Sequence, residues 1–382
     1  MRKVLILRYG EIFLKGRNIS FFENLLISNI KSALEGLNYS FRKIQGRYLI
    51  SDYDNEGEFI SRLTKVFGLT SISSCFELSS SKDEIFEFLK TVKINTKTFK
   101  VETKRADKSF PIQSNEFSRL AGGVVLEANP KSEVDVHNPE TVVEIDIRDN
   151  GKAFISFERI ACLGGMPVGC AGVGLALLSG GLDSPVACYM INKRGMKNTY
   201  IHFYSYPYTS TQAKDKVIEL AKKLKAYNGE SEIIFIPFTK VQEQIHKNCD
   251  NDYMITLMRR IMFRIASEIC KEKEIKAIIS GECLGQVASQ TIESLTSSNE
   301  CAGIVPVLRP LIAFDKEETV EIARKIGTYE TSILPYEDCC TVFLPKNPII
   351  KPKLEKVYMQ EGRLDVEALV KECIQNAEIM KI

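Results

Sequence analysis

Histidine is scarce in this chain, three residues in 382, and no Cys/His pair has ligand spacing, which argues against a zinc centre. No apolar run approaches the ~20 residues a membrane-spanning helix needs, so no membrane association is expected. The apolar stretch in Met1-Arg2-Lys3-Val4-Leu5-Ile6-Leu7-Arg8 is too short for a signal peptide, and no small-residue cleavage site follows it. It reads as a first β-strand, and the expected location is the cytoplasm. The eleven cysteines are odd in number and scattered without a disulfide framework, as reduced cytosolic thiols would be. Excess charge is missing as well: the formal net charge is +2, so bulk charge says nothing about nucleic acid. Internal repeats and low-complexity tracts are absent.

What is present is ordinary for a globular protein: 44% hydrophobic and 26% charged residues, enough to bury a core. The length predicts two or three domains. Charge is uneven along the chain. Residues 1–50 hold nine Lys/Arg against three Glu, and residues 93–108 hold six Lys/Arg against two acids. Such patches suit either a solvated face or a polyanion.

The patterning divides the chain. Up to about residue 60, a strand-like Val4–Leu7, a helical recurrence of Phe21, Phe22, Leu25, Leu26, Ile30 and Leu34, and a second strand at Tyr48–Ile50 form a small α+β unit. From about 61 to 163, Phe99–Thr103, Glu133–Val136 and Val142–Ile147 alternate like half-buried strands, the last ending in the turn signal Asp149-Asn150-Gly151. A Gly-rich linker, 164–172, follows. Beyond it apolar strands at 174–178, 199–203, 232–237, 277–280 and 304–308 alternate with helical stretches. That rhythm predicts a parallel sheet covered on both faces.

The chemistry is concentrated in Leu177-Leu178-Ser179-Gly180-Gly181-Leu182-Asp183-Ser184-Pro185. The segment leaves an apolar strand and opens a helix, and Pro185 suits a first helical turn. Two glycines allow a sharp turn with unobstructed N–H groups, the helix N-terminus adds donors and positive partial charge, and Ser179 and Ser184 add hydroxyls. Together they form a cradle for an anion such as pyrophosphate. The Gly-Lys-Ser/Thr ending of a kinase-type loop is missing. A donor-rich loop without lysine suits release of pyrophosphate from ATP with AMP attached to the substrate. Asp183 either takes part in holding Mg²⁺ or holds the cradle itself.

These residues resemble the pyrophosphatase loop (PP-loop) of the ATP-pyrophosphatase superfamily. The wider chain resembles the tRNA 4-thiouridine synthetase family, ThiI, at Arg8–Asn18, Gly164–Gly169, His202-Phe203, Pro207–Ser210, Gly281-Glu282, Gly285–Gln290 and Arg309-Pro310-Leu311. The resemblance implies an α/β fold: a parallel-sheet PP-loop domain of the adenine nucleotide alpha-hydrolase-like kind at 173–382, preceded by two small α+β domains. Those are a ferredoxin-like domain at 1–60 and an RNA-binding THUMP domain at 61–163. It implies a tRNA sulfurtransferase that adenylates the C4 oxygen of the uridine at tRNA position eight, then replaces that oxygen with sulfur. A PP-loop ligase or amidotransferase acting on a small molecule, and a non-catalytic RNA-binding protein, are the alternatives.

By the same resemblance ATP is contacted by Leu177, Leu178, Ser179, Gly180, Gly181, Ser184, His202, Phe203, Arg259, Gly281 and Gln290. Several of these fall at predicted strand ends, which face the ligand crevice of open α/β sheets. On pattern alone Arg259 is equally a helix-surface arginine beside Arg260, and His202 a core histidine. Lys316, at a predicted helix start where a cation is locally unfavourable, is expected to face phosphate, although a solvated side chain fits the charge pattern. In Glu337-Asp338-Cys339-Cys340, Cys339 is the matching candidate for the sulfur-carrying thiol, with Cys340 as the second; the other nine cysteines read as packing residues. Arg8, Lys15, Arg17, Lys100, Lys104, Arg105 and Lys108 are the candidate RNA contacts, each of which is otherwise a surface charge.

The resemblance also implies ATP with Mg²⁺ as cofactors, tRNA and a cysteine desulfurase as partners, and a possible homodimer. Longer family members carry a C-terminal rhodanese domain for which a chain ending at Ile382 has no room. The persulfide is therefore expected to reach Cys339 or Cys340 directly or through a separate carrier, and a role in thiazole synthesis is not expected. There is no Cys-x-x-Cys, so no iron–sulfur cluster is expected.

Overall fold

The computed structural model describes residues 1–44, 46–336, 339 and 342–382. The chain forms two compact units, residues 1–19 with 33–165, and residues 20–32 with 166–382. Among the described residues no helix is long and apolar enough to cross a membrane.

The first unit is built on nine strands: β1 (Arg2–Tyr9), β2 (Ser40–Ile44), β3 (Arg47–Ser51), β4 (Leu69–Ser79), β5 (Thr98–Arg105), β6 (Glu133–Val134), β7 (Thr141–Arg148), β8 (Lys152–Ser156) and β9 (Ile160–Ala161). Their order is β2-β3-β1-β4-β8-β7-β5-β6, with β9 on β4. Pairing is antiparallel from β2 to β7 and parallel at β7–β5 and β5–β6. The eleven residues of β4 make it the shared central strand. The helices are α1 (Ile19–Ala33), most of which belongs to the second unit, α2 (Glu56–Leu63), α3 (Lys82–Thr91) and α4 (Ser114–Ala128). Helical spacing puts Phe117, Ala121 and Val125 of α4 on one face, where they pack with Ile85, Leu89, Phe99, Val143, Ile145 and Ile147. The strand expected at 133–136 stops at Val134. Asp135 accepts the N–H groups of His137 and Asn138 on its side chain at 2.8 and 3.0 Å, a local turn that competes with the ladder.

The second unit holds a six-stranded sheet: β10 (Val173–Leu177), β11 (Lys197–Tyr204), β12 (Glu232–Pro237), β13 (Ala277–Ile279), β14 (Val307–Leu308) and β15 (Glu378–Lys381), in the order β14-β13-β10-β11-β12-β15. All pairs are parallel except β12–β15. Consecutive Ile233, Ile234, Phe235 and Ile236 are all buried, and neighbours on a strand point to opposite faces, so both faces are covered. The helices are α5 (Asp183–Lys193), α6 (Thr211–Asn228), α7 (Thr239–Asn248), α8 (Met254–Glu272), α9 (Ile292–Cys301), α10 (Lys316–Lys325), α11 (Tyr329–Ser332), α12 (Leu354–Glu361) and α13 (Val366–Gln375). Leu175, Ile201, Phe203, Ile234 and Ile236 share one core with the apolar stripe of α8, including Leu257, Ile261 and Ile265. Only 307–308 of the apolar run 304–308 pairs, and Ile304 is exposed. The edge strand β15 carries only Ile379 and Met380 as an apolar signal and its four residues are exposed; backbone pairing with β12 is joined by the Tyr204 hydroxyl (3.1 Å) and Lys214 Nζ (2.6 Å) on Glu378.

The sheet progresses from β10 to β12 on one side and places β13 on the other. The order therefore reverses beside β10, and the carboxyl ends of β10, β11 and β13 border the crevice where such folds bind ligands. A buried amide knot fixes the opposite ends. Asn228, closing α6, accepts on Oδ1 from Asn192 Nδ2 (2.8 Å) and the Asn198 N–H (2.7 Å), and donates Nδ2 to the Asn198 carbonyl (2.9 Å). Asn228→Ala orphans two buried donors at about 1–3 kcal/mol each. It is expected to lower the denaturant midpoint by the equivalent of about 2 kcal/mol or more, checked by urea unfolding at unchanged m-value.

Candidate functional site

The loop after β10 turns back on itself before entering α5. The Ser179 N–H donates to Ser184 Oγ (2.9 Å), Ser184 Oγ donates to the Ser179 carbonyl (3.2 Å), and the Gly181 N–H donates to Ser179 Oγ (3.1 Å). Ser179 and Ser184 thus spend part of their hydrogen-bonding capacity shaping the loop. Gly281, just past β13, closes it from the side. A Cβ there would lie 2.8 Å from the Ser184 nitrogen and 2.9 Å from the Asp183 carbonyl carbon, so only glycine permits this approach of strand end to loop.

A cleft of about 260 Å³ opens above these strand ends. Of the expected site residues, Leu177, Leu178, Ser179, Gly181, Asp183, Ser184, His202, Phe203, Arg259, Gly281, Gln290 and Cys339 line it. Gly180 and Lys316 do not, and Cys340 lies outside the described residues. His202 is buried, and its Nδ1 lies 2.9 Å from the Leu178 carbonyl. A carbonyl only accepts, so Nδ1 carries the proton and the ring ties the end of β11 to the end of β10. His202 is therefore both a cleft residue and a core histidine.

Asp183, the first residue of α5, accepts Lys316 Nζ on Oδ1 (2.8 Å) and Gln286 Nε2 on Oδ2 (3.1 Å). Lys316 opens α10 behind a capping box, in which Asp315 accepts the Glu318 N–H and Glu318 accepts the Asp315 N–H, both at 2.9 Å. The unfavourable lysine in a first turn is thus balanced by Asp183, Glu317 and Glu318. Lys316 is expected to face phosphate; in the structure its side chain reaches the carboxylate of Asp183 in the Ser179–Ser184 loop.

Arg259 and Arg260 are adjacent on α8 and diverge by about 100° around the helix. Arg259 faces the cleft. Arg260 is buried in a separate ion cluster with Glu361 and Glu300, at 2.9 and 2.7 Å. The charge partner of Arg259 is a residue whose role the sequence did not reveal. Glu282 is 3% exposed and accepts Arg259, Arg309 Nε (2.7 Å) and Ser280 Oγ (3.0 Å). Two guanidinium groups on one buried carboxylate leave surplus positive charge beside the loop, as an anionic ligand requires. Its partners are 23 and 27 residues away in sequence, and no local pattern announces such a pairing.

Cys339 is buried at the cleft wall. Other thiols sit where burial suppresses ionisation: it pushes Cys75, Cys162 and Cys301 up to about 11, and Cys270 and Cys373 up to about 12. They remain protonated near neutrality and behave as apolar packing groups.

Among the basic residues of the first unit, Arg17, Lys104 and Lys108 are exposed. Lys15 is half-buried. Arg105 donates to the Phe110 and Ile112 carbonyls (2.8 and 3.3 Å), and Lys100 pairs with Glu102 (2.6 Å). Arg8 donates to Ser73 Oγ (2.8 Å) and pairs with Glu144 (3.5 Å). Glu144 also binds Arg159 (2.7 Å), while Asp146 binds Arg47 and Arg148. The sheet thus carries four arginines on two acids, a cluster that exists only once β1, β3 and β7 are placed in register.

Residues 169–366 match the family described as Thiamine biosynthesis protein (ThiI), residues 4–73 the ThiI ferredoxin-like domain and residues 80–158 the THUMP domain. A protein of Acetivibrio thermocellus named "Probable tRNA sulfurtransferase" is 46% identical, over 100% of this chain and 99% of its own. One of the same name from Moorella thermoacetica is 45% identical over 99% of this chain and 97% of its own. The crystal structure of a 4-thiouridine synthetase–RNA complex with bound ATP is 36% identical, covers 100% of both chains and has a TM-score of 0.92.

Because the Gly281 contact is with backbone, Gly281→Ala must displace the loop. In a thermal-shift titration with ATP, wild type at 100 times Kd is expected to gain about 2.7 kcal/mol. Gly281→Ala is expected to need at least about ten-fold more ATP for the same gain, equivalent to ~1.4 kcal/mol of lost affinity.

Proposed function

The chain belongs to the ThiI family, and from that membership we propose the working of its site: an ATP-dependent tRNA sulfurtransferase that makes 4-thiouridine at tRNA position eight. The observation that carries this reading is the meeting, in one cleft, of a pyrophosphate-type loop and a cysteine from a distant part of the chain.

The chemistry has two displacements. The uracil C4 oxygen attacks the α-phosphorus of ATP, and the bond to the β-phosphate oxygen breaks to release pyrophosphate. The N–H groups of the loop and of the α5 N-terminus are suited to the developing negative charge. Leu177, Leu178, His202, Phe203, Gly281 and Gln290 enclose the nucleoside end, and Arg259, held by Glu282, offers charge to the phosphates. A sulfur nucleophile, either the terminal sulfur of a persulfide on Cys339 or bisulfide delivered from it, then attacks C4. The C4–O bond breaks and AMP leaves; in either route a second thiol attacks Cys339 Sγ and breaks the S–S bond of the persulfide, and the disulfide so formed is reduced by an external thiol. Cys340 is the second candidate for the sulfur-carrying or resolving thiol.

Asp183 fits the Mg²⁺ that accompanies ATP, since a single carboxylate together with phosphate oxygens is a usual Mg²⁺ environment; the ion supplies charge neutralisation on the phosphates. Lys316 and Gln286 hold that carboxylate in place.

The reading assigns residues 1–60 to the ferredoxin-like part, 61–163 to the THUMP part, 164–172 to a linker and 173–382 to adenylation and sulfur transfer. The exposed Arg17, Lys104 and Lys108 are the foremost phosphate contacts, with Arg8, Lys15, Lys100 and Arg105 supporting them. A cysteine desulfurase supplies the persulfide, no iron–sulfur cluster takes part, and the enzyme works in the cytoplasm, paired as a homodimer.

The deciding experiment is mass spectrometry of tRNA nucleosides after incubation with unmodified tRNA, ATP, Mg²⁺ and sulfide. Wild type is expected to make 4-thiouridine, and Asp183→Ala or chelation by EDTA to cut it by about 10²-fold or more. With a desulfurase and cysteine instead of sulfide, Cys339→Ser is expected to lose the product. Wild type that releases pyrophosphate without thiolating tRNA from either sulfur source would falsify the reading.

A further inference from the structure

Gln242 lies on α7, is 0% exposed and is 97 residues from Cys339 in sequence. Its Nε2 donates to the Cys339 carbonyl at 2.7 Å and approaches Met258 Sδ at 3.3 Å. Its Oε1 accepts the hydroxyl of Ser205, itself 0% exposed. Ser205 is fixed in turn: its N–H donates to Thr209 Oγ1 (3.1 Å), and the Thr209 N–H donates to the Ser205 carbonyl (2.9 Å). The orientation of the amide follows from chemistry. The Cys339 carbonyl only accepts, so the amide NH₂ must face it, the amide oxygen must face Ser205, and the Ser205 hydroxyl must donate. The Cys339 carbonyl also accepts the Val342 N–H at 3.2 Å, closing a turn at the same residue.

A glutamine is an expensive choice for this place. Its helix neighbours Val241 and Ile245 and its contact Met258 belong to one apolar core, and an aliphatic residue would pack there without any polar group to desolvate. What an aliphatic residue lacks is a donor aimed at the backbone of Cys339.

We propose that Gln242 is a positioning residue for sulfur transfer: oriented by Ser205, it pins the backbone of Cys339 to α7 and so sets where the thiol lies along the cleft. This rests on the reading that Cys339 accepts the sulfur. Gln242 does not line the ATP cleft, so its removal bears on the sulfur step rather than on nucleotide binding. Displacement of a reacting group by about 1 Å costs up to about 10²-fold in rate.

The test compares two rates on the full-length enzyme, thiolation of tRNA driven by a desulfurase with cysteine and thiolation driven by free sulfide. Only the first needs sulfur on Cys339. Gln242→Leu, close in volume and without a donor, is expected to lower the desulfurase-driven rate about 10- to 100-fold, to lower the sulfide-driven rate far less, and to leave the KM for ATP unchanged. Ser205→Ala, which frees the amide orientation, is expected to shift the ratio of the two rates in the same direction by a smaller factor, and it decides the matter should Gln242→Leu not fold. Equal losses in both rates, or no loss, overturn the positioning role. Cys339→Ser separates the two layers. If it collapses the ratio while Gln242→Leu does not, positioning alone fails; if it leaves the ratio unchanged, the acceptor reading fails and takes positioning with it.

Discussion

The site depends on one close approach, the backbone of Gly281 against the start of α5. β13 and β10 lie side by side where the strand order reverses, so their ends converge. A Cβ at residue 281 would fall within van der Waals radii of the Ser184 nitrogen and the Asp183 carbonyl carbon. Because the contact is backbone to backbone, no rotamer change relieves it. The loop is therefore held on one side by its own serines and on the other by a neighbouring strand. The N–H groups of α5 are thereby fixed in direction, which is what electrostatic stabilisation of a leaving group requires.

Among the described residues the carboxylates around this fixed loop are each held by partners. Asp183 is held by Lys316 and Gln286, and Glu282 holds Arg259 and Arg309. Such pairs keep side chains from collapsing onto one another or onto solvent, at the cost of desolvation that the pairing offsets. Among the described residues three cations against two carboxylates keep the surroundings receptive to an anion. In the first unit the same logic is written on a sheet face, where Glu144 and Asp146 order four arginines that would otherwise repel one another.

Cysteine usage separates by environment more than by sequence context. Burial pushes the thiols of Cys75, Cys270 and Cys373, and of the half-buried Cys162 and Cys301, up to between about 11 and 12, so they stay protonated near neutrality. Cys339 is equally buried, yet it borders the cleft and its backbone is anchored from α7. Cys339 therefore differs from those cysteines in what it faces, which no count or spacing of cysteines reveals.

The amino-acid sequence by itself determined the features that are local in the chain. Strand, glycine turn and helix N-terminus occur within nine consecutive residues, so Leu177–Pro185 announced an anion cradle, and the alternating apolar runs announced a parallel sheet. The capping residues at Asp315–Glu318 likewise lie within one turn. Tertiary structure decided everything that joins distant segments. Whether Arg259 or Arg260 faces the cleft depends on about 100° of helix rotation relative to a core not visible in the pattern. The pairing of Glu282 with Arg309, and of Gln242 with Cys339, required the strand order that sets β13 beside β10 and the helix packing that seats α7 under the cysteine. A sequence encodes the partners, but hydrogen bonds and ion pairs act over about 3 Å, and only the fold brings residues tens of positions apart within that range.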